Sequence, residues 1–154
     1  MNYLKLNEQA HSEVKDLIEK VKSSKGKTKE NTFYRVYAKL AGHHEAEENI
    51  VFPKALEKCE SEEDKDTILE MPEEHSVIMF QLGVLNNTSM DNETWDAKFS
   101  VFEEIGTHHM DEEEDEFAKV AKKLFTDDEL EDLGSRVDEE MKAIEKEWLE
   151  KLKK

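Results

Sequence analysis

His43-His44-Glu45-Ala46-Glu47-Glu48-Asn49-Ile50-Val51-Phe52-Pro53 reads HHEAEENIVFP. It has an echo at His108-His109-Met110-Asp111-Glu112-Glu113-Glu114-Asp115-Glu116-Phe117-Ala118, HHMDEEEDEFA. In each stretch a histidine precedes a glutamate by four residues. On a helix such residues stand one above the other, with Cβ atoms ~5–6 Å apart. Both side chains can then reach one metal ion, or an ion and its neighbour. His11 and His75 precede the two stretches by 32 and 33 residues, so the chain reads His…HisxxxGlu twice. All six histidines fall inside this pattern.

Composition narrows the class. A chain of 154 residues is the size of one domain, spanning residues 1–154, and can hide roughly 70% of its unfolded surface. Charged residues (40%) outnumber hydrophobic ones (36%), but the apolar residues recur at helical spacing, which argues for a packed core. Five glycines and two prolines are too few for a turn-rich β fold. A formal net charge of −17 repels phosphate, so nucleic acid and anionic membranes are poor partners. The lone Cys59 excludes a disulfide framework and a cysteine-rich zinc site. The N-terminus has no signal-like apolar run, and no stretch approaches the ~20 apolar residues of a membrane span. The expectation is a cytoplasmic protein, a monomer or weak homodimer.

Five helical segments follow from periodicity. The first runs over about 3–23, with His11, Val14, Ile18 and Val21 on one stripe. The second covers about 31–58 and carries Val36, Leu40, His43, Glu47 and Ile50, with a kink expected at Pro53. Ser61 can cap a third segment, and Pro72 suits the first turn of a restarted helix bearing His75, Ile78, Leu82 and Leu85. A fourth starts near a cap at Asp91 and runs to about 124, through Trp95, Phe99, Phe102 and Ile105. Thr126-Asp127-Asp128-Glu129 is a capping box opening a fifth helix, about 127–152, that carries no histidine. Four helices with short connections over about 3–124 predict an all-α antiparallel four-helix bundle. The fifth is an additional C-terminal packing helix.

Inward histidines alone are ordinary core groups, but two inward glutamates are not. An unpaired buried ion costs several kcal/mol, and no Lys or Arg shares these stripes. A metal would offset the charge. Mixed imidazole and carboxylate donors suit iron, and six candidates exceed the four ligands of a single zinc.

These residues resemble the hemerythrin-like family, specifically the HHE cation-binding domain, over about residues 5–122. The pattern H…HxxxE…H…HxxxE is matched in order by His11, His43, Glu47, His75, His108 and Glu112. Glu47 to Pro53, EENIVFP, is similar to the family's EExxLFP tail, and Glu73 to Ile78, EEHSVI, to its third-helix EH segment. The resemblance implies a hemerythrin-like bundle with those six residues holding two Fe ions, bridged by the glutamates and by an oxo or hydroxo group. His44 with Glu48, and His109 with Glu113, are alternative pairs. A helical wheel centred on Phe102, Phe117 and Val120 favours His109 and Glu113, whereas the frame counted back from Phe52-Pro53 and Phe117 favours the first of each pair and is followed here. Met71 and Met79 stand where oxygen carriers of the family add a second third-helix histidine. One imidazole is thus expected to be missing. That points away from reversible oxygen carriage and toward O2, NO or peroxide as small-molecule ligands, with iron-centre repair or stress response as the setting. The alternative is an iron store, donor or sensor without turnover. Whether the protein is an enzyme stays open.

Overall fold

The computed structural model describes residues 1–154. Every regular element is helical: α1 (Tyr3–Ser23), α2 (Gly26–Ala46), α3 (Phe52–Lys58), α4 (Glu62–Asn86), α5 (Trp95–Glu112), α6 (Ala118–Leu124) and α7 (Asp127–Leu152). Five-residue π-helical turns, Glu47–Val51 and Glu113–Phe117, join α2 to α3 and α5 to α6. The result is four rods plus α7, the expected bundle with an extra helix. No helix is long and apolar enough to cross a membrane.

Local chemistry accounts for most of the helix ends. Asn2 caps α1 by accepting from the Lys5 amide, and Ser61 caps α4 through the Asp64 amide. The capping box at Thr126 and Glu129 is present in both directions. Gly26 starts α2 with φ of 60°, where a side chain would be strained, so α2 begins five residues before the periodicity indicated. Two expectations are corrected. Pro72 lies inside an unbroken α4 and does not restart it. Asp91 is not the cap of α5, which begins at Trp95 after a turn in which Asn92 Oδ1 accepts from the Thr94 amide and hydroxyl.

The break expected near Pro53 takes a definite form. The Phe52 amide bonds to the Glu47 carbonyl, and the Ala118 amide to the Glu113 carbonyl, each five residues back. Each π turn thus holds one residue more than an α-turn, and each begins on a buried glutamate. Proline cannot be the sole cause, because the second turn has Lys119 where the first has Pro53.

The apolar core forms two clusters. One gathers Tyr3, Leu6, Phe52, Met71, Phe117 and their neighbours. The other gathers Val14, Phe33, Leu40, Ile78, Trp95 and Phe102 among others. Helix α7 lies along α2 and α1. It comes so close that a Cβ on Gly42 would stand 2.5 Å from the Met141 carbonyl oxygen and 3.1 Å from the Glu145 amide. Backbone atoms cannot swing aside. Gly42→Ala should therefore force α7 off α2 and lower stability by about 1–3 kcal/mol despite alanine's better helix propensity. Urea unfolding of the two proteins measures this, and an unchanged or raised midpoint would refute it.

Candidate metal centre

Between the two apolar clusters lies a polar layer. α1 supplies His11, α2 supplies His43 and His44, α4 supplies His75 and α5 supplies His109. Glu47 and Glu113, the first residues of the two π turns, complete it. All seven are buried, and both glutamates have no exposed surface. Glu113 spans the layer. Its Oε1 is 3.2 Å from His11 Nε2 and 3.6 Å from His43 Nε2, and its Oε2 is 3.2 Å from His109 Nε2 and 3.6 Å from His75 Nε2. Glu47 Oε1 is 3.3 Å from His43 Nε2 and 3.4 Å from His75 Nε2.

An outer ring of polar groups holds these side chains in place. Nδ1 of His11 donates to Glu114 at 2.8 Å, Nδ1 of His75 to Glu48 at 3.0 Å, and Nδ1 of His109 to Glu74 at 2.6 Å. Each of these three rings therefore turns Nε2 inward, an arrangement that orients metal-binding histidines. Asn7 Oδ1 meets His43 Nε2 at 2.7 Å, and Met141 Sδ lies 3.4 Å from its Nδ1. The Tyr3 hydroxyl donates to Glu47 Oε2.

The inward atoms are left without partners. Glu47 Oε1, both oxygens of Glu113, Nε2 of His75 and of His109, and Nδ1 of His44 are buried and make no hydrogen bond. Buried polar groups are almost always paired, and a bare buried carboxylate is expensive. Such a convergence of lone-pair donors fits a cation. The donors fall into His11–His43–Glu113, His44–His75–His109 and Glu47–His75–Glu113, each within 4.8 Å.

The structure brings His11, His43, Glu47 and His75 into this layer and leaves His108 and Glu112 out. His108 is 71% exposed, and Glu112 faces it at 3.3 Å on the surface side. The frame counted from the Phe-Pro tail is thus one residue off in the second half. The π turns show the true equivalence: Glu47 matches Glu113 and His43 matches His109, which pairs Val51, not Phe52, with Phe117. His108 then corresponds to Gly42, which α7 covers, whereas the His108 side faces solvent. The wheel centred on Phe102, Phe117 and Val120 was the signal that could have found His109 and Glu113. His44 is a further correction. Read from the sequence only as an alternative to His43, it is buried in the same layer, where it stacks on His75 with centroids 3.7 Å apart.

The family description "Hemerythrin HHE cation binding domain" matches residues 4–121. The chain belongs to this family. Metal binding is therefore its chemistry. No curated protein matches the chain. The crystal structure of a hemerythrin HHE cation binding domain-containing protein, the Rv2633c homologue of Mycobacterium kansasii, is similar, with a TM-score of 0.86. The likeness covers 99% of this HHE chain and 93% of that one at 22% identity, and so shows a shared fold, α7 included.

Without a metal, protons must neutralise the HHE layer. Burial pulls His11 and His109 down, but Glu113 with Glu114, and Glu113 with Glu74, outweigh it and raise both to about 9. His75 is likewise raised against the pull of burial by Glu113, Glu47 and Glu48. His44 is pushed well below its usual range by burial and by the neighbouring imidazoles. A raised histidine contributes stability fully below its unfolded value of 6.5 and loses it as the pH rises through about 9. His44 acts in the opposite sense, costing stability below 6.5. Three raised groups outnumber one lowered group. The chelated, metal-free protein should therefore melt at progressively lower temperature as the pH is raised from 6.5 to about 9. Circular dichroism melts would reveal the trend, and a flat or rising profile would contradict it.

Proposed function

We propose that this HHE protein holds two iron ions in the buried layer and uses them to bind or react with O2, NO or peroxide. The observation that carries the reading is the set of orphaned donors around Glu113. Five imidazoles and two carboxylates exceed the needs of one four-coordinate zinc, and the mixed nitrogen and oxygen set suits iron. His11 and His43 would serve one ion and His44, His75 and His109 the other. Glu113 would be shared between them and Glu47 Oε1 placed at the His43–His75 side.

When bound, iron supplies exchangeable electrons and coordination positions that a small molecule can fill. The chain's own groups prepare that site. Glu48, Glu74 and Glu114 fix three rings by their Nδ1 protons, and Tyr3 holds Glu47 so that only Oε1 points inward. A cavity of about 200 Å³, lined by Ala41, His44, Glu48, His75, Ser76 and Met79 among others, opens on the stacked imidazoles. It has room for a diatomic or peroxide. A cytoplasmic role in iron-centre repair or stress response is part of the same proposal. So is action as a monomer or weak homodimer.

Anaerobically prepared protein should contain close to two irons per chain. Glu113→Gln should lose most of this iron, whereas Glu112→Gln should keep it, as read by elemental analysis. Adding NO to the reduced protein should give a new visible absorption, and exposure to O2 should end in the oxidised state without release of O2 under vacuum. One tightly held zinc with no iron would overturn the proposal. Iron that answers to none of these ligands would favour a store or sensor.

A further inference from the structure

The residues left out of the buried layer form a group of their own. Glu74 on α4 and His108 and Glu112 on α5 bring ligand atoms within 4.8 Å of one another. His108 Nε2 stands 3.3 Å from Glu112 Oε1. No lysine or arginine pairs with Glu74 or Glu112, whose only ion-pair partners are histidines. Glu112 Oε2 is shielded from solvent and makes no hydrogen bond. Two adjacent carboxylates repel each other unless a cation or a shared proton lies between them, and a shielded lone pair on one of them is costly. The imidazole sets this group apart from an ordinary acidic patch. Beside it runs a groove of about 320 Å³, walled by Glu74, Val77, Glu104, Ile105 and His108, which gives an ion a way in.

We propose that Glu74, His108 and Glu112 form an outer site for a third, exchangeable divalent cation on the exposed face between α4 and α5. Two carboxylates and one imidazole are a donor set for Fe2+, Mn2+ or Zn2+. High exposure at His108 leaves room for water ligands and makes the site weaker than the buried layer. The outer and inner groups share one helical turn: His108 precedes His109, and Glu112 precedes Glu113. Glu74 serves both, because its Oε1 accepts from His109 Nδ1 at 2.6 Å. An ion drawing on Glu74 is therefore one side chain away from the buried layer. Its passage inward, as a way-station for loading, rests on the two-iron reading above; the existence of the outer site does not.

The test uses the full chain with Mn2+, followed by electron paramagnetic resonance at physiological salt. The wild type should show a tight class of sites and one additional weaker site. His108→Ala and Glu112→Gln should each weaken that site by at least about tenfold, in line with losing a metal-supporting group, and leave the tight class intact. Glu113→Gln should damage the tight class and spare the weak one. Glu139→Gln, an exposed acid on α7, should change neither. Absence of the weak site in the wild type overturns the proposal. So does a weak site unaffected by His108→Ala and Glu112→Gln, or one equally weakened by Glu139→Gln, which would mean diffuse charge attraction. A His108-dependent site without any tight class would uphold the outer site and sink the buried one. For the way-station role, His108→Ala should slow ferrous uptake into the layer without changing the final iron content. An unchanged rate removes that role.

Discussion

Glu47 and Glu113 sit at the middle of the bundle with no exposed surface, and no lysine or arginine reaches either. Everything near them is arranged around that charge. Five imidazoles crowd in from four helices, and three are backed by a further carboxylate that turns the ring. The apolar core is divided in two to make room. Burying such a layer weakens a bundle unless something positive fills it. In a cation-binding domain the filler is a metal, and protons are its substitute in the metal-free state. Binding to the folded chain alone then adds directly to folding free energy.

The two halves answer this demand in parallel and then diverge. Glu48 and Glu114 play the same part, Glu48 orienting His75 on α4 and Glu114 orienting His11 on α1. Helix α7 breaks the symmetry. It packs on α2 at Gly42 and sets Met141 beside His43, while His44 on the same helix is buried against His75 and His109. On α5 the flank beside His109 is open, and His108 reaches solvent. One covering helix thus leaves Gly42 buried and its counterpart His108 exposed.

Much of this was legible in the residues. The stripe through His11, the HisxxxGlu spacing of His43 and Glu47, the place of His75 and the capping box at Thr126 all follow from helical periodicity. The register of the second half did not, because Phe117 was taken as the counterpart of Phe52, whereas the two π turns pair it with Val51. The apolar wheel through Phe102, Phe117 and Val120 was the sounder guide. His44 was legible only as an alternative to His43, since one wall of an ordinary bundle helix faces inward. That both face inward depends on how α4 and α5 pack against α2, where His44 meets His75 and His109, a long-range fact. Pro72 misled through a local rule: losing one backbone donor is tolerable in a long helix held by tertiary packing on its other turns.

The π turns also bear on which sequence changes the chain can survive. Dropping a residue from a core helix normally rotates everything beyond it by about 100° and empties the core. Here the α2–α3 and α5–α6 rods each already carry a surplus residue. Deleting the exposed Asn49 would turn Glu47–Val51 into a plain α-turn and leave the residues on both sides facing as they do now. The exposed Glu116 offers the same latitude in the other rod. A one-residue deletion, ruinous elsewhere along these helices, is at these two points a shortening the fold can absorb.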